Sequence, residues 1–525
     1  LNAAPARPDA FLMRLGVLAL AFWPAWLCAD FRVTPYVQNP TSSAVTVIWF
    51  SEDNRPGRLH LQAEPGAGRE PATSVPERAG ALDYHPDEGA ESSLPFLHRL
   101  RLEGLQPGHR YRYRVEQGGV EAEGSFQTLP VLPAAVRFVV FADSETEPES
   151  DGKFAHWPGT DTKDADRQYL VDQETGYREN LRIIRSRQPD FVAIAGDLVE
   201  SGGEQRDWDA FWRLTAPLAS ESYLFPALGN HEYFGGPGAF GGYDTAGSGR
   251  AIARYRNYFE LPANGSGPDH ERYYRVRWGP VSLVVLDLNN GLPHQSGADT
   301  NYFLLGRGEG GDAPDWQRGS EQYLWLEQTL EQAQKDSAFT FVLFHQCPYS
   351  SGVHGQPPGK DPGRDPLSAR PLQNLTPLFT RYGVDAVFAG HDEMYEHSVV
   401  PGREHGSDGS GSNYGLHVYD VGIGGDGLRG PMPGVVNPHR VFLAHDDAPE
   451  ARNSRGVLID GGKHYGHLEV NVEPLENGGW RARLDPVYVF PVTDSAGEVL
   501  GFERRVYADR TVLLSGPSTE HEEKR

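Results

Sequence analysis

Arg137-Phe-Val-Val-Phe-Ala-Asp-Ser-Glu145 is an apolar run that ends abruptly in acids. Its first six residues read as a buried strand, and Asp143 stands where that strand stops. The same grammar returns downstream. Phe191-Val-Ala-Ile-Ala195 runs into Gly196-Asp-Leu-Val-Glu200, and Leu224 to Leu228 into Gly229-Asn-His-Glu232. Phe339 to Phe344 runs into His345, within Val342-Leu-Phe-His345, and Ala386-Val-Phe-Ala389 into Gly390-His-Asp-Glu393. Ligands presented where strands enter tight loops gather at one edge of a sheet. Five such blocks in order bring Asp, Asn, Glu and His together. They imply two cations held side by side.

Helical patterns separate the strands. Tyr177 to Arg187 and the amphipathic Glu321 to Leu330 read as helices, and Val281 to Leu286 as a further strand. The alternation is an α/β signal. Long polar, Gly-rich loops at 144–170, 233–250, 289–319, 351–366 and 402–414 are expected to form the rim of the site. Residues 31–128 have another character. Val45-Thr-Val-Ile-Trp-Phe50, His98-Arg-Leu-Arg-Leu102 and Tyr111-Arg-Tyr-Arg-Val115 are short strand signals punctuated by Pro and Gly. They predict a small β-sandwich. The expected division is a sandwich at 30–130, a linker at Pro130 to Pro133, a catalytic domain at 134–515 and a flexible tail at 516–525.

The chain has 525 residues, 38% hydrophobic and 11% aromatic, and a formal net charge of -24. That is enough apolar material for two buried cores. The acidity argues against a nucleic-acid duplex as partner, because phosphate backbones select Lys and Arg. An anionic substrate then depends on local positive charge, which bound metals supply. Met13-Arg14, the apolar run Leu15 to Leu27 and Cys28-Ala29 read as a signal peptide ending near residue 29, with residues 1–12 as upstream read-through. The run is too short to span a bilayer comfortably. Removal of Cys28 leaves Cys347 as the only cysteine, so no internal disulfide is expected. Export without disulfides points to a secreted or periplasmic bacterial protein.

Asp197, after Gly196 at a strand end expected near the middle of the sheet, is the natural carboxylate to bridge two ions. Asp143 and Glu145 lie two apart and can address one ion where the chain turns. Asn230 supplies a neutral oxygen, and His345 and His391 supply imidazoles. Imidazole suits Zn, Fe or Mn, whereas carboxylates suit harder ions.

In order and spacing the five blocks resemble the calcineurin-like metallophosphoesterases, and especially the purple acid phosphatase branch. The segment Leu105-Gln-Pro-Gly-His-Arg-Tyr111 resembles a fibronectin type III corner, and such an N-terminal domain is typical of that branch. The resemblance implies an α/β (α+β) fold: a two-layer β-sandwich core flanked by helices, preceded by a small all-β sandwich. It implies that Asn230, His345 and His391 hold one metal, that Asp197 bridges, and that Asp143 helps hold the other. His231 is then the general acid or transition-state stabiliser, oriented by Glu232. The implied cofactors are two divalent or trivalent ions, Mn, Fe or Zn, with Ca or Mg also possible at the oxygen-rich site. The implied activity is hydrolysis of small phosphate monoesters by a metal-activated hydroxide. The alternatives are a phosphodiesterase or nucleotidase, or a non-catalytic metal-binding surface protein.

Departures from the family pattern fall around one metal. Glu145 replaces His or Gly, Glu200 replaces Tyr, and Glu393 replaces His. Three acids read as retuning toward a hard cation, without tyrosinate colour and with a neutral to alkaline optimum. Gly422-Ile-Gly-Gly-Asp-Gly427 formally matches a nucleotide-binding pattern. Leu428-Arg-Gly-Pro431 denies it the required helix. His354, in a rim loop, is expected to touch substrate phosphate.

Overall fold

The computed structural model describes residues 31–516, except 67, 90–92, 147–170, 237–244, 266, 268, 305–311 and 403–414. The signal-peptide reading, Cys28, all but the first residue of the tail and parts of the long loops lie outside the described residues.

Two four-stranded antiparallel sheets form the N-terminal sandwich. One has the order Phe31–Gln38, Val45–Ser51, Phe96–Leu102, Glu77–Arg78. The other has the order Ala72–Thr73, Arg58–Glu64, Arg110–Gln117, Val120–Gln127. Alternation in Tyr111-Arg-Tyr-Arg-Val115 sends Tyr111, Tyr113 and Val115 into the core. The Tyr111 ring stacks on Phe126 at 5.4 Å, and its hydroxyl accepts the N–H of Gln106 at 2.9 Å. This contact ties the turn to the strand it precedes.

The sandwich shares its core with the following domain. Tyr36 packs on Trp212 at 4.3 Å, and its hydroxyl donates to the Tyr258 carbonyl at 2.6 Å. Helix Gln205–Ala219 has no side-chain cap of its own. Glu88 of the sandwich supplies one instead: its Oε2 accepts the N–H groups of Gln205 and Arg206 at 2.8 and 3.0 Å. A carboxylate is favourable there because the first N–H groups of a helix are unpaired. Oε1 of the same Glu88 meets Arg254 Nη2 at 3.3 Å, with both side chains 0% exposed. Arg254 also donates to the carbonyls of Ala81 and Asp83. Arg254→Ala removes the guanidinium from a fully buried ion pair and is expected to cost ~3–5 kcal/mol. A large drop in the thermal unfolding midpoint checks this, and an unchanged midpoint refutes it.

Residues from Val136 onward build two seven-stranded sheets packed face to face. The first runs Tyr223–Pro226, Phe191–Ile194, Val136–Phe141, Gly466–Pro474, Trp480–Thr493, Val499–Val506, with Thr511–Ser515 also on Trp480–Thr493. The second runs Tyr274–Trp278, Val281–Val285, Phe339–Gln346, Ala386–Gly390, Gly415–Val421, Tyr395–Pro401, Arg440–Leu443. Phe138 of the first sheet reaches Phe341 and Phe388 of the second, at 5.6 and 6.4 Å, in the layer between them. Helix Glu321–Asp336 covers the outer face of the second sheet, with Leu326 and Leu330 buried beside Phe344. Helix Gln173–Ser186 packs on the first. This is the expected two-layer sandwich flanked by helices.

Parallel pairing positions the site. Val136–Phe141, Phe191–Ile194 and Tyr223–Pro226 run parallel, as do Val281–Val285, Phe339–Gln346, Ala386–Gly390 and Gly415–Val421. Their C-terminal ends therefore emerge together, and every block read from the sequence lies at or just after such an end. One expectation changes. The strand before Asp197 is second from a sheet edge rather than central, because the C-terminal strands all add beyond Val136–Phe141.

Candidate metal centre

The chain reverses sharply at each strand end. Asp143, Asp197, His391 and Glu393 adopt left-handed φ of 56°, 48°, 85° and 47°. Non-glycine residues pay about 1 kcal/mol or more for this, and such strain concentrates at functional sites. Gly229 permits the closest approach, since a Cβ there would collide with Asp197 Oδ1 and its backbone nitrogen.

His345, Asn230, His391 and Asp197 converge on one point. His345 Nε2 lies 2.9 Å from Asn230 Oδ1, 3.0 Å from His391 Nδ1 and 2.8 Å from Asp197 Oδ2. The far nitrogen of each imidazole faces a carbonyl: His345 Nδ1 that of Ala195 at 2.9 Å, His391 Nε2 that of Leu367 at 3.0 Å. Those carbonyls take the ring N–H, so two lone pairs, an amide oxygen and a carboxylate face inward. Such a donor set fits a Zn, Fe or Mn ion. Burial works to lower the His345 imidazole, but Asp197 and then Asp143 raise it to about 9. Burial, with His354 and His345, pushes His391 well down.

Acids gather beside it. Asp143, Glu145 and Glu393 are buried. Burial and then the neighbouring acids raise Glu145 well above the carboxylate range. For Asp143 burial, with Asp197 and Glu393 and against His345, gives about 8. Asp143 is aimed by the N–H of His391, at 2.9 Å from Oδ2. Two clusters of close ligand atoms lie on this side: Glu145 with Asp197 and His231, and Glu145 with Glu393 and Asp426. Carboxylates crowded this way in a low-dielectric site call for a cation.

His231 stands at the entrance, its side chain 20% exposed. Its ring lies on Phe234, with centroids 4.3 Å apart. Nδ1 is 2.8 Å from the Glu200 carbonyl, which takes its proton, and Nε2 faces Asp197 Oδ2 at 3.9 Å. Burial lowers its affinity for a second proton, with Asp197 opposing.

Three expected residues sit differently from the sequence reading. Glu232 does not touch the His231 ring. Its carboxylate accepts the N–H groups of Asp197, Leu198 and Gly229 at 3.0, 2.8 and 2.8 Å. It positions two loops at once, because a buried carboxylate can satisfy several loop amides. Glu232→Gln removes half of that acceptor capacity and should weaken metal binding about 10–100-fold. Metal titration checks this, and wild-type affinity would deny Glu232 the positioning role. Glu200 turns its carboxylate toward His231 Nδ1, 3.7 Å away, and joins neither acidic cluster. His354 is buried, not on the rim. Its ring stacks on His391 at 3.6 Å, with Nδ1 on Asp365 at 2.5 Å and Nε2 facing Arg429 Nη1 at 3.3 Å.

Asp426 and Arg429 were missed. Both follow strand Gly415–Val421, inside or just after the Gly-rich stretch dismissed as a nucleotide motif. The signal was there: an acid shortly after a strand end is the pattern of the other five blocks.

A family model described as calcineurin-like phosphoesterase matches residues 137–394, and one for the purple acid phosphatase N-terminal domain matches residues 31–128. An uncharacterized protein of Mycobacterium tuberculosis (strain ATCC 25618 / H37Rv) is 29% identical over 311 residues, 58% of this chain and 50% of that protein. The chain thus spans about half the length of this relative. Purple acid phosphatase 23 of Arabidopsis thaliana is 24% identical over 388 residues, 72% of this chain and 71% of that one. A purple acid phosphatase structure from yellow lupin (Lupinus luteus) seeds has a TM-score of 0.59 at 18% identity, over 92% of this chain and 74% of that one. At that identity the likeness is one of fold.

Proposed function

Because the chain belongs to the calcineurin-like phosphoesterases and carries a purple acid phosphatase N-terminal domain, we propose that it hydrolyses small phosphate monoesters at a two-metal centre. The observation that carries this reading is the convergence of Asp197, Asn230, His345 and His391 beside an acidic cluster. His345, His391 and Asn230 hold the nitrogen-rich ion. Asp143, Glu145 and Glu393 hold the other, and Asp197 is shared. Two bound cations supply Lewis-acid stabilisation of phosphoryl oxygens and an acidified water.

This chain's own residues do the rest. His231 keeps one proton on Nδ1 through the Glu200 carbonyl and presents Nε2 to the site. A second proton taken up there is readily given to the departing oxygen, because burial disfavours the charged ring. Glu232 holds the loops of Asp197 and Asn230 in register. The acids repel an anionic substrate wherever no cation covers them, so turnover depends on metal loading.

The apolar run Leu15 to Leu27 supports export to a periplasm or beyond. Among the described residues no helix is long and apolar enough to cross a membrane. The proposed division keeps a sandwich at 30–130 and a catalytic domain at 134–515. Metal analysis of the purified chain, with a panel of phosphomonoesters and diesters, tests the reading. Two metals per chain and monoester turnover are expected. Preference for diesters moves the assignment to a phosphodiesterase, and bound metal without turnover moves it to a metal-binding scaffold.

A further inference from the structure

We propose that Asp426, from the Gly-rich loop, completes the carboxylate side of the centre with Glu145 and Glu393, and that this site takes a hard cation, with Arg429 as its fixed countercharge. The inference rests on the reading that a second cation sits on that side. It does not depend on what is hydrolysed.

The three carboxylates each offer an oxygen, all within 4.8 Å of one another. Glu145 and Glu393 are 1% and 3% exposed, and Oε2 of each is buried with no hydrogen-bond donor. Unpaired buried carboxylate oxygens are costly, and a cation among them removes the cost. The loop is built to deliver Asp426. The N–H groups of Gly425 and Asp426 donate to the Asp143 carbonyl at 2.8 and 2.9 Å, clamping the loop to the strand end that carries Asp143. Gly427 has a φ of 56°, and a Cβ there would overlap Glu393 Oε2, so only glycine admits that carboxylate.

Arg429 offsets part of this negative charge. Arg429 Nη2 binds Glu393 Oε1 at 2.5 Å, and its Nη1 faces His354 Nε2. Its guanidinium stays protonated at any working pH. With Asp143 and the shared Asp197 the acids outnumber the one guanidinium, so the site keeps a net negative charge for a cation to offset, and Arg429 reduces how much positive charge the ion must bring. The donors are all oxygen, which suits Ca, Mg or Mn, whereas the imidazoles of the neighbouring site suit Zn.

Calorimetric titration of the metal-stripped full-length chain tests this, with Zn2+ added first and Mn2+ or Ca2+ second. Wild type is expected to bind both. Asp426→Asn is expected to weaken the second ion about 10–100-fold and leave Zn2+ affinity unchanged. Glu145→Gln provides the same readout should Asp426→Asn fail to fold by circular dichroism. Arg429→Gln is expected to shift the preference of Tb3+ over Ca2+ at least about tenfold toward Tb3+, read by Trp-sensitised luminescence. Wild-type Mn2+ and Ca2+ affinity in the Asp426 and Glu145 variants, or an unchanged Tb3+ to Ca2+ ratio in the Arg429 variant, overturns the proposal. Second-ion binding without turnover on any phosphate ester upholds this site while refuting the phosphatase reading. Turnover with no second-ion binding refutes this site and the two-metal part of the proposed function while upholding hydrolysis.

Discussion

Asp197→Asn is expected to abolish turnover and to lower the affinity of both metals, by at least about tenfold each. This carboxylate reaches both sides of the centre. Oδ1 accepts the N–H of His231 at 2.9 Å, and Oδ2 faces His345 Nε2 at 2.8 Å. The same side chain belongs to the cluster with Glu145 and His231. The substitution is clean in the backbone, because Asn accepts a left-handed φ of 48° as readily as Asp. An oxygen remains for the His231 N–H, so the loop keeps its shape while the bridging charge is gone. Metal content by mass spectrometry, turnover and the unfolding midpoint check it together. Near-normal turnover at full metal content would sink the bridging assignment.

His231→Ala is expected to lower turnover about 10²–10⁴-fold, the range for a lost general acid, with both metals retained. The ring is anchored from behind by the Glu200 carbonyl and flanked by Phe234. Its free Nε2 stands off Asp197 at 3.9 Å, too far for a hydrogen bond and open to a substrate atom. The competing outcome is concrete, since the ring shares a close cluster with Glu145 and Asp197. Loss of one metal along with turnover would make His231 a ligand. His231→Gln separates the two roles further, because an amide can donate to a phosphate oxygen but cannot deliver a proton.

The sequence showed the strands that lead into the site through their apolar runs, and showed less of the rest. Tyr177 to Arg187 was recognisable as helix, yet the helix begins a turn earlier, at Gln173 behind its Asp172 cap. That first turn, Gln-Glu-Thr-Gly, carries no apolar period to read. Helix Thr245–Tyr258 begins inside a stretch expected to be loop, since its first turns are rich in Gly and Ser. The strands Gly466–Pro474 and Trp480–Thr493 went unread, and they moved the Asp197 strand away from the middle of its sheet.

The candidate ligands were local, and so the sequence by itself could name them. An acid, amide or imidazole that directly follows an apolar strand is committed to the strand's C-terminal end, and parallel pairing gathers those ends. That is why Asp143, Asp197, Asn230, His345 and His391 could be named without a structure. Roles that depend on which way a side chain turns were not local. Glu232 serves backbone amides of two loops, His354 is buried under Arg429, and Glu200 faces His231 rather than the acids. Each of these follows from contacts between segments distant along the chain. Only the tertiary structure decided them, because burial makes every polar atom find a partner, and the partners on offer are set by packing rather than by sequence neighbours.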